Sequence, residues 1–169
     1  RLARLNVEGE YASEFRYRNP VLDPDRDVVI VISQSGETAD TLAAVRQAKQ
    51  AGVLALGVVN AVGSTIARQC GRGCYIHSGP EQSVASTKAF SNMVAALSMF
   101  AIQIGRARTL SREKGKRLTK SLQKVPQLVD EYLSNQGPID EVVDMVKDAK
   151  SVLFLGRGIS APVAREGAL

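Results

Sequence analysis

Tryptophan is absent from this 169-residue chain, and four Phe with four Tyr are its only aromatic residues. The stacking platforms by which proteins read single-stranded RNA are therefore missing. Cysteine is almost as scarce. Cys70 and Cys74 are the two present, in a CxxxC spacing with neither a second pair nor a histidine cluster beside it, and His77 is the single histidine. That pattern cannot complete a zinc site and reads as two reduced thiols of a cytoplasmic protein. Long apolar runs are lacking too: the longest, around 93–104, is broken by Ser98 and Gln103 and reads as a buried helix, not a membrane span. The opening residues show no signal-peptide pattern, and no membrane partner is expected. Neither GxxxxGK[ST] nor GxGxxG occurs, so the P-loop reading and the dinucleotide-loop reading both fail.

What remains is ample apolar material: 44% of the residues are hydrophobic and 23% charged, enough for one complete domain and part of another. The net charge of +5 and a pI near 9.4 raise the question of nucleic acid. Much of the excess lies in Arg106, Arg108, Arg112, Lys114, Lys116, Arg117 and Lys120, a run at a helix junction with no aromatics between its charges. A solvated helical surface accounts for it, and no nucleic-acid partner is expected.

The stretch richest in information is Val28-Val29-Ile30-Val31-Ile32 followed by Ser33-Gln34-Ser35-Gly36-Glu37-Thr38. Five β-branched residues in succession read as a strand buried on both faces, and an amphipathic helix over 39–50 follows, with Leu42, Val45, Ala48 and Ala51 at helical spacing. In such a unit the loop lies at the carboxyl edge of the sheet, where helix N–H groups and dipole favour an anion. Ser33, Ser35 and Thr38 offer hydroxyls, Gln34 an amide and Gly36 a tight turn. Helix capping alone would need one hydroxyl, so three with an amide point to the phosphate monoester of a small molecule. Glu37 reads as completing the first turn of the helix.

Further strands are expected over 53–59 and 74–77, with a short helix from Ser64 between them; this alternation argues for a parallel sheet covered by helices. A second polar loop, Gly79 to Ser86, leads into a long apolar helix over 87–105, expected to pack centrally, and places Ser83, Ser86 and Thr87 at another helix N-terminus. Lys88 either adds positive charge there or faces solvent. His77, at a strand end without a partner recognisable in sequence, reads as structural or exposed rather than as a general base. Beyond Leu110, Pro126 divides an amphipathic helical stretch, Gly137-Pro138 breaks the chain, and Ser151 to Leu155 repeats the strand theme ahead of Gly156-Arg157-Gly158. The domain boundary is accordingly placed between 1–110 and 111–169.

Four segments together resemble one family. Ser33-Gln34-Ser35-Gly36-Glu37-Thr38-Ala39-Asp40-Thr41, with Ala12-Ser13-Glu14-Phe15-Arg16-Tyr17-Arg18, Val84-Ala85-Ser86-Thr87-Lys88-Ala89-Phe90 and Phe154-Leu155-Gly156-Arg157-Gly158, is similar to the sugar-isomerase (SIS) half of the glutamine:fructose-6-phosphate amidotransferase (isomerizing), or glucosamine-6-phosphate synthase, family. The resemblance implies a three-layer α-β-α SIS domain with a parallel sheet, then the opening strand and helix of a second SIS domain. It also implies that Ser33, Gln34, Ser35 and Thr38 hold the phosphate of fructose 6-phosphate while Val84 and Ser86 contact the sugar. One departure is Gln82-Ser83, where the family usually has an apolar residue and glycine.

The reaction so implied converts fructose 6-phosphate and glutamine to glucosamine 6-phosphate and glutamate without metal, nucleotide or redox cofactor. A glutaminase domain would precede this middle slice, a homodimer would form through the isomerase half, and the acid–base groups would follow Glu166 and the helix carrying it. No catalytic residue is therefore assigned here, and the stretch is expected to anchor and orient sugar phosphate but to be inactive alone. The rival readings are a non-catalytic sugar-phosphate sensor in a regulator and another SIS-family isomerase or deaminase; a flanking effector domain would mark the sensor.

Overall fold

The structure, a computed structural model, describes residues 2–82 and 86–169. Its elements run α1 (Ala12–Arg18), β1 (Val28–Ser33), α2 (Ala39–Gln50), β2 (Leu54–Val59), α3 (Thr65–Cys70), β3 (Gly73–Tyr75), α4 (Lys88–Arg108), α5 (Arg112–Gln123), α6 (Val125–Leu133), α7 (Gly137–Val146) and α8 (Ser160–Ala168). The chain divides into two compact units, Arg1–Gly115 and Lys116–Leu169.

In the first unit the three strands form a parallel sheet in the order β1-β2-β3, flanked by helices. Register sets Ser33 beside Val59 and Val59 beside Tyr75, so the loops that leave all three strands emerge along one edge. One face of the sheet is closed by α2 and α3. Val31, Ala55 and Val59 meet Val45, Ala48 and Ile66 there, with Leu22, Val29, Leu42 and Cys70 around them. The buried stripe of α2 is Thr41, Ala44, Val45 and Ala48, a step round from the expected one: Leu42 is half-buried and Ala51 exposed. Ile66 is fully buried. Its shortening to valine removes one methylene from a filled site, so Ile66→Val is expected to cost about 0.5–1.5 kcal/mol in denaturant titration.

The opposite face is less covered than an all-apolar strand suggests, for Val28 and Ile32 of β1 remain 52% and 45% exposed. Nor is α4 central. Only Ala89 and Gly105 of that helix are buried, and Val94, Met99 and Phe100 face outward. Apolar residues spread round a helix state that it can be buried, but not what lies beside each face. Among the described residues no helix is long and apolar enough to cross a membrane.

In the second unit the helical stretch divides ahead of Pro126, which occupies the first turn of α6, where a missing N–H costs nothing. Residues 151–155, read from the sequence as a strand, form none among the described residues. A β-strand needs a ladder partner, and a five-residue apolar run cannot supply one for itself.

Candidate functional site

The loop between β1 and α2 folds on its own hydroxyls. Ser33 is buried, and its Oγ accepts the Gly36 N–H at 2.9 Å; Ser35 Oγ accepts the Glu37 N–H at 3.2 Å. Two amides that would otherwise face an anion are thus already taken. Each serine that accepts in this way keeps its own hydroxyl proton to donate, so the loop presents O–H donors in place of those N–H groups. Thr38 is the N-cap of α2, yet its side chain makes no capping bond. Its hydroxyl is exposed beside the positive end of a twelve-residue helix. Capping therefore does not account for Thr38.

This loop is fastened on both sides by neighbours distant in sequence. Gln34 O accepts the Ala61 N–H at 3.2 Å, Ser33 O accepts the Asn60 N–H at 3.2 Å, and Gly36 O accepts the Ile66 N–H at 2.9 Å. Glu37 does not complete the first turn of α2. Its carboxylate reaches α3 and accepts the Thr65 N–H at 2.8 Å. The Thr65 amide and hydroxyl, aided by the Arg68 charge, hold the Glu37 carboxylate below its ordinary pKa. A depressed carboxylate stabilises the fold above its unfolded pKa, and that contribution is lost as the pH falls through the lower folded value. Wild type should therefore exceed Glu37→Gln in stability at pH 7. The gap is expected to close as the pH falls below about 4 in paired acid-titration melts.

At the carboxyl edge of the sheet, an open cleft of about 370 Å³ is lined by Gln34, Asn60, Ala61, His77, Gly79 and Pro80, among others. His77 is exposed, lies 5.9 Å ring to ring from Tyr75, and has φ +49°, a left-handed conformation that non-glycine residues disfavour. Ser33, Gln34, Ser35 and Thr38 thus share one loop, with Gln34 turned to this cleft. Ser86 is half-buried ahead of α4, on a separate segment, and Val84 lies outside the described residues, as do Ser83 and Ala85.

Sequence reasoning missed Asn60 and Glu81. Glu81 accepts the Ala89 N–H at 3.1 Å and the Thr87 hydroxyl at 3.2 Å, so a carboxylate already serves the start of α4. No standard capping spacing announces that. Asn60 was signalled only by its place, a polar residue immediately after an apolar strand and buried to 8% exposure. Cys70, half-buried against the core, has its thiol pKa raised by burial.

A parallel sheet flanked by helices, with a hydroxyl-bearing loop at its carboxyl edge, defines an α/β domain, and the SIS domain profile matches residues 1–103. The chain belongs to the SIS domain family. It is 53% identical over 167 residues to the glutamine–fructose-6-phosphate aminotransferase (isomerizing) of Chlorobaculum tepidum, covering 99% of this chain and 27% of that protein. The enzyme of the same name from Thermus thermophilus is 47% identical over 169 residues, covering 99% and 28%. Among solved structures, the C-terminal domain of glucosamine-fructose-6-phosphate aminotransferase from Francisella tularensis superimposes with a TM-score of 0.92 at 34% identity, over 99% of this chain and 48% of that one. The chain spans little more than a quarter of the length of the curated relatives it matches.

Proposed function

We propose that this chain is the fructose 6-phosphate-anchoring part of the isomerase half of a glutamine–fructose-6-phosphate aminotransferase, which makes glucosamine 6-phosphate. The observation that carries the reading is the loop Ser33–Thr38: hydroxyl donors at the carboxyl edge, one of them at a helix N-terminus and unused for capping. The likeness to relatives of that name, across nearly all of this chain, supports it. Ser33, Gln34, Ser35 and Thr38 hold the phosphate, and Val84 and Ser86 meet the sugar. Proton transfer between the two sugar carbons falls to groups outside this stretch, as does release of ammonia from glutamine by a glutaminase domain. Residues 1–110 form the first SIS domain and 111–169 lead into a second. The protein works as a cytoplasmic homodimer.

Hydrogen bonds to a phosphate are charge-assisted and worth about 1.5–3 kcal/mol each. Ser35→Ala and Thr38→Ala are each expected to weaken fructose 6-phosphate binding by roughly tenfold or more in calorimetry on the full-length protein. Unchanged affinity in both variants would remove this loop from the phosphate site.

A further inference from the structure

We propose that Asn60 is the positioning residue for the sugar side of this site, fixing the backbone at Ser78 and Gly79 across the cleft from Gln34. The inference rests on the fructose 6-phosphate reading and extends it to a residue outside the candidate phosphate and sugar contacts.

The parallel ladder between β2 and β3 ends where Val59 O accepts the Ile76 N–H at 3.0 Å. From there the chain turns away through His77 at φ +49° and Gly79 at φ +71°, and no strand holds it. The Asn60 carboxamide takes over. Its Oδ1 accepts the Ser78 N–H at 2.8 Å and its Nδ2 donates to Gly79 O at 2.8 Å, one side chain closing both groups of the turn. At the same time the Asn60 backbone N–H donates to Ser33 O, so one buried residue joins the phosphate loop to the loop that leads toward Ser86. Asn92 of α4 adds a second hold, donating to Ser78 Oγ at 2.9 Å.

The chemistry demands both a donor and an acceptor on a short arm. Aspartate keeps the acceptor for Ser78 but turns a carboxylate oxygen onto the carbonyl of Gly79, and alanine offers nothing. A left-handed His77 persists only while its surroundings over-determine it, so loss of the bracket frees the turn. The phosphate loop, held by the backbone of Asn60 and by α3, keeps its shape. Asn60 therefore governs which organic group is accepted beside the phosphate, not whether phosphate is held.

The test compares wild type, Asn60→Asp and Asn60→Ala in the full-length protein with two probes, fructose 6-phosphate and inorganic phosphate, by calorimetry. Both variants are expected to lose roughly tenfold or more in affinity for the hexose phosphate, while inorganic phosphate stays within about two-fold. Equal hexose binding in both variants, or parallel loss of both probes, overturns the role of Asn60 alone. Failure of wild type to bind fructose 6-phosphate while binding phosphate overturns the hexose reading and this inference with it. Should the variants fold poorly, amide exchange in wild type decides: Ser78 is expected to be protected, and a Ser78 amide exchanging as fast as an open loop overturns the bracket.

Discussion

Gly36→Ala is expected to unfold the loop between β1 and α2 and, on the proposed function, to abolish hexose-phosphate binding. Gly36 has φ +68°, and a Cβ there would come 2.0 Å from Ser64 Oγ and 2.4 Å from Ser64 Cβ. Ser64 cannot retreat, because it is buried and starts α3. The loop must move instead, and in moving it gives up the bond from the Ile66 N–H to Gly36 O and the turn closed by Ser33 Oγ. The left-handed backbone and the overpacking together cost about 2–4 kcal/mol. Gly63→Ala isolates the first contribution, since Gly63 has φ +71° but nothing within 4 Å of a new Cβ. It is expected to lose only about 1 kcal/mol. Urea titrations of both variants check this; equal midpoints would show that close approach to Ser64 is not what glycine serves.

Gly73→Ala is expected to open β3. Gly73 has φ +142° and pairs in register with Gly57, and a Cβ on it would lie 1.9 Å from Gly57 O and 2.7 Å from Gly57 C and N. Those are main-chain atoms of the central strand, with no side-chain torsion to relieve the clash. A strand of three residues has little else to hold it, so separation from β2 is expected, at about 2–4 kcal/mol. Tyr75, whose hydroxyl accepts the Gly63 N–H, leaves with it, and so does the turn at His77. Gly57→Ala is the contrast: its Cβ would meet nothing nearer than Val59 Cγ2 at 3.3 Å, and the loss should stay below about 1.5 kcal/mol. Amide exchange at Cys74 and Ile76, whose N–H groups face β2 in this register, reports the opening. Wild-type protection there in Gly73→Ala would contradict it.

Both variants act through contacts that link residues far apart in the chain, and legibility in the sequence divides along that line. The bounds of α2 follow from its period and from Gly52, and the break at Pro126 follows from a missing amide. The apolar run ending at Ser33 announces an inner strand with a polar loop after it. The same run does not say that Ile32 lies half in solvent, because coverage depends on other elements. Residues 151–155 read as a strand for the same local reasons, yet no neighbour pairs with them among the described residues. In the site, the hydroxyls were visible but their engagements were not. Glu37 looked like a first-turn carboxylate, and its partner Thr65 lies 28 residues on.

Composition and periodicity alone determine the alternating strands and helices, the crowding of alcohols after β1, and the absence of nucleotide-loop signatures, since these depend on neighbours within a turn or two. Tertiary structure alone decided that Glu37 locks to α3 and that Asn60 brackets the turn beyond β3. Such bonds form between groups that approach only when the sheet brings its carboxyl ends together, and no local pattern encodes that meeting.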